Sequence, residues 1–304
     1  MKMTVIGGSG LLGSTTAFHA GCKGLFEEIF LIGTRQNVVM SHVMDMDQAL
    51  CAVSGTRIRV GTYEEIAQSD VILVTAGLPE REVENRNEYL AGNLALVQEI
   101  GAKIKAHCAD PKIVLCATNP IDVFNYALYR QLGWPRKKFL GFGYNDTLRL
   151  RWALAEETGN PYDSLEAYVL GEHGDNQVPL FEHLRCWGET LTLGAAARLR
   201  VREKISGYFR RFQALDSRRT SGWTSAVSLT KILEAIGNET EEIIPCSVVP
   251  DGEYGQRDVS LGMPVRLNRS GIAEIIEFPL EEATQQNLDA AGDGIKRHIA
   301  SVGL

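Results

Sequence analysis

The sequence predicts an α/β protein: a doubly wound parallel sheet over residues 1–142, then a mixed α+β half over residues 143–304. Three features carry that prediction. Short, near-continuously apolar runs alternate with helical segments from the N-terminus to about residue 142, as strands buried on both faces between crossover helices do. The first run passes through a glycine-rich turn directly into a helix of small residues. Beyond residue 142 the alternation stops, and helices and strands come in separate groups.

Taken in order, residues 3–6 form the first strand. Gly7-Gly8-Ser9-Gly10-Leu11-Leu12-Gly13 follows, and 14–20 continue as a helix. Two registers overlap: Gly8, Gly10 and Gly13 fit G-x-G-x-x-G, while Gly7, Gly10 and Gly13 fit G-x-x-G-x-x-G. Either supplies a tight turn, a backbone bare enough to touch a pyrophosphate and a helix N-terminus aimed at it. With a strand before and a helix after, the turn reads as a dinucleotide-binding Rossmann turn. The second strand, 28–32, runs into Gly33-Thr34-Arg35-Gln36-Asn37. An NAD site places an acid about 20 residues past the glycines to hold the ribose hydroxyls. Here that place holds Gly33, so no carboxylate repels a 2′-phosphate. Arg35 has two readings, a partner for such a phosphate or a solvated loop residue.

Residues 38–50 read as a helix, 56–60 as a strand and 70–77 as a buried strand ending in Thr75-Ala76-Gly77. The charged segment Leu78-Pro79-Glu80-Arg81-Glu82-Val83-Glu84-Asn85-Arg86 leaves that strand's C-terminal end. Open α/β sheets bind ligands there, so the segment is expected to be an active-site lid. Helix 87–107 carries Leu90, Leu94, Val97, Ile100 and Ile104 on one face. Strand 112–117 ends in Thr118-Asn119-Pro120, whose asparagine either makes a turn or faces the ligand. Helix 121–132 and strand 139–142 complete the first half.

In the second half, Asn145-Asp146-Thr147-Leu148-Arg149 opens a helix. Asp146 and Arg149 share a face, in the plain reading as a surface ion pair. Strand 165–170 delivers Gly171-Glu172-His173-Gly174-Asp175. Histidine exchanges a proton near neutral pH, and the flanking glycines admit a close neighbour. In isolation the string reads as a polar turn; the dinucleotide loop, the arginines, Asn119 and Asp146 reverse that reading. Residues 195–219 are predicted as one long arginine-rich helix with a solvated outer face. A further helix starts within Thr220-Ser221-Gly222-Trp223-Thr224-Ser225. Strands are expected at 243–249, 259–267 and 272–277, and a closing helix at 280–301 buries Leu288, Ala291, Ile295 and Ile299.

The 304 residues are 44% hydrophobic and 23% charged, enough for two packed lobes. A formal net charge of −7 argues against a general nucleic-acid binder. No apolar run nears the ~20 residues of a membrane span, and the N-terminus lacks the shape of a signal peptide. Six scattered cysteines without a C-x-x-C fit reduced thiols in a cytoplasmic protein, with neither a metal site nor a disulfide framework.

Together these motifs resemble the lactate/malate dehydrogenase family, most of all its archaeal malate dehydrogenase branch. The resemblance is carried by the glycines at 7, 10 and 13 with Leu31-Ile32-Gly33, by Thr118-Asn119-Pro120-Ile121-Asp122, by Asn145-Asp146-Thr147-Leu148-Arg149, by Gly171-Glu172-His173-Gly174-Asp175 and by Asp258-Val259-Ser260-Leu261-Gly262-Met263-Pro264-Val265. It implies an oxidoreductase moving a hydride between NAD or NADP and a small L-2-hydroxy acid or 2-oxo acid. Alcohol oxidation needs a base, and His173 has that role. Asp146 fixes its tautomer, Arg149 grips the substrate carboxylate and Arg86 polarises the carbonyl. Asn119 bonds the reacting oxygen, and Thr224 lines the substrate pocket. Gly7, Gly8, Ser9, Gly10, Leu11, Leu12, Gly13, Gly33, Thr34, Arg35, Thr75, Ala76, Gly77, Asn93, Thr118 and Asn119 are the expected cofactor contacts. The resemblance also implies a homodimer or homotetramer.

Two departures stand out. Gly33 replaces the acid of NAD-preferring relatives. At the lid position that sets substrate choice, where malate enzymes carry arginine and lactate enzymes glutamine, this chain has Glu80, with Arg81 one residue on. Three alternatives are open: a non-catalytic dinucleotide sensor on the same scaffold, a dehydrogenase for an atypical 2-oxo acid selected by Glu80, and an NAD-dependent glycosidase. The sensor expects a broken His/Asp/Arg set, which is whole here. The glycosidase needs a cysteine–histidine metal cluster, which residues 171–175 do not offer.

Overall fold

The computed structural model describes residues 1–78, 86–217 and 221–304, with 86–89 and 209 described by backbone only. Strands β1 (Lys2–Ile6), β2 (Glu28–Ile32), β3 (Arg57–Val60), β4 (Val71–Val74), β5 (Ile113–Cys116) and β6 (Phe139–Gly141) lie parallel in the order β3-β2-β1-β4-β5-β6. β4 and β5 are buried at every position, which is why they read as unbroken apolar runs. Helices α1 (Leu11–Cys22), α2 (Gln36–Val53), α3 (Arg86–His107) and α4 (Ile121–Leu132) make the connections. The chain winds one way from β1 to β3 and the other way from β4 to β6. The strand order therefore reverses at β1, and ligands of such sheets bind beyond the strand C-termini at that point.

The same sheet continues into the second half. The antiparallel strands β8 (Val169–Gly171), β9 (Gln177–Pro179), β12 (Ile244–Val248), β13 (Leu261–Asn268) and β14 (Gly271–Ile275) extend it beyond β6, with β12 next to β6 and β14 branching from β13. Gly262 pairs with Gly171 across β13 and β8, and a Cβ on Gly262 would lie 2.9 Å from the Gly171 carbonyl oxygen. That close approach holds the end of β8, and with it the turn carrying His173. A small second sheet joins β7 (Leu165–Glu166), β10 (Arg185–Cys186) and β11 (Glu189–Thr190). Around these strands lie α5 (Tyr144–Thr158), α6 (Ala195–Ser206), α7 (Tyr208–Ala214), α8 (Trp223–Asn238) and α9 (Glu282–Ser301).

The predicted faces are buried at Leu94, Val97, Ile100 and Ile104 on α3 and at Leu288, Ala291, Ile295 and Ile299 on α9, while Leu90, near the start of α3, is only partly buried. Each such aliphatic side chain contributes about 1.5–3 kcal/mol over leaving it in water. Two expectations need correction. The strand predicted over 165–170 is two strands in different sheets, because the chain leaves the small sheet at Ala167 and joins the large one at Val169. The helix predicted over 195–219 is α6 and α7, divided at Gly207, where ψ of −5° departs from helical values. Strands β9, β10 and β11 escaped prediction because two or three residues are too short to show an alternating pattern.

Candidate active site

The dinucleotide cradle is built where β1, β4 and β5 end. Gly7 has φ +105°, and a Cβ there would lie 2.5 Å from Thr75 Oγ1. A Cβ on Gly13 would lie 2.6 Å from the Gly7 carbonyl oxygen. Larger residues would fill the groove. Gly10 precedes α1 with no side-chain cap, and no acid lies in the first turn. The helix thus presents free N–H groups and its positive end, which is what a pyrophosphate needs. The Thr75 N–H donates to the Ile6 carbonyl at 2.8 Å, and the Thr118 hydroxyl donates to the Ala76 carbonyl at 2.7 Å. These bonds lock the strand ends together. Leu12 packs against the core. Asn93 is fully buried, and its Oδ1 accepts the Leu78 N–H at 2.8 Å, fixing where the chain departs after Gly77.

At Gly33 a Cβ would lie 2.8 Å from Ser9 Oγ and 2.9 Å from Val39 Cγ2. The glycine loop therefore occupies the space where an acidic residue would begin. Arg35 is exposed beside Thr34, and its Nη2 donates to the Ser9 carbonyl at 2.7 Å. Its exposed guanidinium thus sits at the edge of the glycine loop. The residues present fit a nicotinamide dinucleotide.

The second cluster gathers at the turn after β8. His173 Nδ1 lies 2.6 Å from Asp146 Oδ2. A carboxylate can only accept, so Nδ1 carries the hydrogen and Nε2 is left for a substrate. The other oxygen of Asp146 accepts from Arg149 Nη1 at 3.1 Å. Side-chain exposures are 7% for Asp146, 16% for Arg149 and 15% for His173, so the pair is a part-buried one and the plain reading of a surface ion pair gives way. Burial alone would make His173 harder to protonate. The Asp146 carboxylate and the bond to it outweigh that, with Asp122 adding and Arg149 opposing, so its pKa is raised above the usual 6.5. The Arg149 guanidinium stacks 4.6 Å from the centre of the Tyr208 ring, and its buried Nε has no hydrogen-bond partner among the described residues.

Asn119 follows β5 and precedes Pro120 across a cis peptide bond. Thr224 is half-buried in the first turn of α8. That helix start lies against the cradle, since a Cβ on Gly222 would come 2.9 Å from Leu11 Cδ2. Arg86 opens α3, but its side chain, like Glu80 and Arg81 of the expected lid, lies outside the described residues. Sequence reasoning assigned nothing to Asp122, Ser247 or Tyr208. Asp122 reads simply as an acid in a first helical turn, and Tyr208 as part of a solvated basic helix. Only its spacing from Asn119, inside the same motif, marked Asp122.

A switch-point glycine loop joined to a histidine–carboxylate pair and a part-buried arginine equips a dinucleotide-dependent oxidoreductase. Family models agree in detail. Residues 1–141 match the NAD-binding domain of lactate/malate dehydrogenase, and residues 145–303 match that family's α/β C-terminal domain. The malate dehydrogenase of Natronomonas pharaonis is 30% identical over 96% of each chain. L-lactate dehydrogenase 1 of Enterococcus faecalis is 29% identical over 98% of this chain and 93% of its own. The structure of the malate dehydrogenase from Aeropyrum pernix superposes with a TM-score of 0.90 at 28% identity, over 98% of this chain and 97% of that one. The chain belongs to the lactate/malate dehydrogenase family, and it is a nicotinamide-dependent 2-hydroxy acid dehydrogenase.

Proposed function

We propose that the protein interconverts an L-2-hydroxy acid and its 2-oxo acid with His173 as the acid/base. The observation that carries this is the buried Asp146, bonded through one oxygen to His173 and through the other to Arg149. Asp146 holds the imidazole with Nε2 toward the reacting oxygen and favours the protonated ring. Arg149 takes the substrate carboxylate, preorganised by Asp146 on one edge and Tyr208 on its face. Asn119 bonds the reacting oxygen, Thr224 lines the side-chain pocket, and Arg86 stabilises charge on the carbonyl oxygen. The nicotinamide, when bound, accepts or supplies the hydride. In reduction, His173 gives its Nε2 proton to the carbonyl oxygen; in oxidation it takes the hydroxyl proton back. In this reading residues 1–142 are the dinucleotide-binding domain and 143–304 the substrate domain. The active form is a homodimer or homotetramer in the cytoplasm.

NADP is proposed to be accepted at least as well as NAD. Gly33 packed against Ser9 leaves no carboxylate to repel a 2′-phosphate, and Arg35 is at hand to bond one. Arg35→Ala is expected to lower kcat/KM for NADPH about tenfold or more, the value of one charge-assisted hydrogen bond, with NADH little changed. A strong NADH preference that Arg35→Ala leaves unmoved would refute this.

Malate is the first substrate proposed, from whole-chain likeness to malate dehydrogenases. Glu80 facing a second carboxylate would repel it in a closed, water-poor site, whereas Arg81 turned inward would pair with it. An atypical substrate with a cationic or hydrogen-bond-donating end would instead suit Glu80. Glu80→Gln and Arg81→Ala, each assayed with oxaloacetate and pyruvate, separate these cases. Loss of oxaloacetate reduction is expected in Arg81→Ala. Intact reduction there ends the malate reading through Arg81, and unchanged constants for both substrates in Glu80→Gln place Glu80 outside the pocket.

A further inference from the structure

Behind His173 lies a second buried carboxylate. The backbone N–H of His173 donates to Asp122 Oδ2 at 2.8 Å. The Ser247 hydroxyl donates to Asp122 Oδ1 at 2.5 Å. Since Ser247 gives its proton to a carboxylate, the Ser260 hydroxyl must donate to Ser247, at 2.8 Å. Asn125 Nδ2 donates to Ser260 Oγ at 2.9 Å. Asn125 Nδ2 also donates to the Ser247 carbonyl at 3.2 Å, and the two serine hydroxyls point in series to one carboxylate. Asp122 is 3% exposed, Ser247 1%, and Asn125 and Ser260 0%. Asp122 and Asn125 share one face of α4, Ser247 is on β12, and Ser260 precedes β13. The network thus ties the helix that begins just after Asn119 to the strands that carry the His173 turn.

We propose that Asp122 is a positioning residue for the reaction: its carboxylate clamps the His173 backbone at a fixed spacing from Asn119 and supplies a second negative charge that favours the imidazolium. This rests on the reading of His173 as the acid/base. A purely structural bond would need no charge, and a neutral acceptor would serve as well. Three hydroxyl and amide donors in series make the site one built for an anion. Burial lifts the Asp122 carboxyl to about 6, against the pull of the Ser247 and His173 bonds. It is therefore charged at neutral pH. Among the described residues, the titratable groups facing this pair are Asp146 and Arg149 on α5, Glu172 on the turn, and the Cys116 thiol on β5, which burial keeps protonated.

The test follows the His173 ring by NMR in the intact protein as pH is varied, its signal assigned by loss in His173→Asn. In Asp122→Asn the ring should titrate about one pH unit lower, the scale of a removed neighbouring charge. Turnover should fall about tenfold or more, since general acid–base help is worth about 10²–10⁴ and part of it is lost, while dinucleotide affinity holds. In the wild-type protein, which needs no variant to fold, the same ring should show a second, smaller inflection near 6 from Asp122. An unmoved His173 titration in Asp122→Asn, or a single-step curve in the wild type, overturns the proposal whatever happens to turnover. A fully active His173→Asn enzyme would instead overturn the acid/base reading beneath it, and leaves the titration result to stand by itself.

Discussion

His173→Asn is expected to lower turnover by about 10²–10⁴-fold, the contribution of a positioned general acid–base, while dinucleotide affinity changes little. The two halves of this expectation come from different parts of the chain. Asparagine matches imidazole in neither basicity nor reach, so the reacting oxygen loses its proton partner. The cradle at Gly7, Gly13 and Thr75 is held by its own backbone bonds and packing, none of which involves His173. Stopped or steady-state loss of reduced-nicotinamide absorbance measures the first effect, and fluorescence titration with the reduced dinucleotide measures the second. An active His173→Asn enzyme would remove the acid/base assignment. Loss of dinucleotide binding would mean that the turn after β8 also supports the cradle.

Arg149→Lys is expected to raise KM for the 2-oxo acid about 30- to 150-fold, or about 2–3 kcal/mol, for loss of a two-pronged charge-assisted contact. Lysine keeps the charge, so the pH profile should hold its position. Arg149→Gln removes a positive charge that disfavours the imidazolium, so the His173 pKa should rise and the profile should move to higher pH. Substrate KM with equal cofactor saturation, measured across pH for both variants, checks the pair. An Arg149→Lys enzyme with native KM would place the substrate carboxylate elsewhere.

Much of this is legible in the sequence. The parallel half was readable because β4 and β5 are buried throughout and so contain little but Val, Ile, Leu and Cys. The cradle was readable because only glycine tolerates the φ of Gly7 and its contact with Thr75. The His173, Asp146 and Arg149 set was readable from motif and spacing, but its burial was not. An i, i+3 acid–base pair looks the same in sequence whether water or Tyr208 lies over it. The division at Gly207 and the switch of sheets after Glu166 depend on tertiary packing that no local pattern encodes. Asp122 shows no role in the sequence, because its partners Ser247 and His173 are far away along the chain and meet it only through the sheet.

The pH dependence of kcat/KM for 2-oxo acid reduction, in the wild type and in Asp146→Asn, bears most directly on the acid/base pair. With His173 as the proposed acid, reduction needs the imidazolium, so activity should be present below the His173 pKa and be lost as pH rises through it. With Asp146 ionised that pKa lies above 6.5, and the wild-type alkaline limb should lie above it too. In Asp146→Asn the lowering effect of burial is no longer outweighed, so the limb should move to lower pH and the maximum should fall. A limb that stays in place when the Asp146 charge is removed would contradict the account.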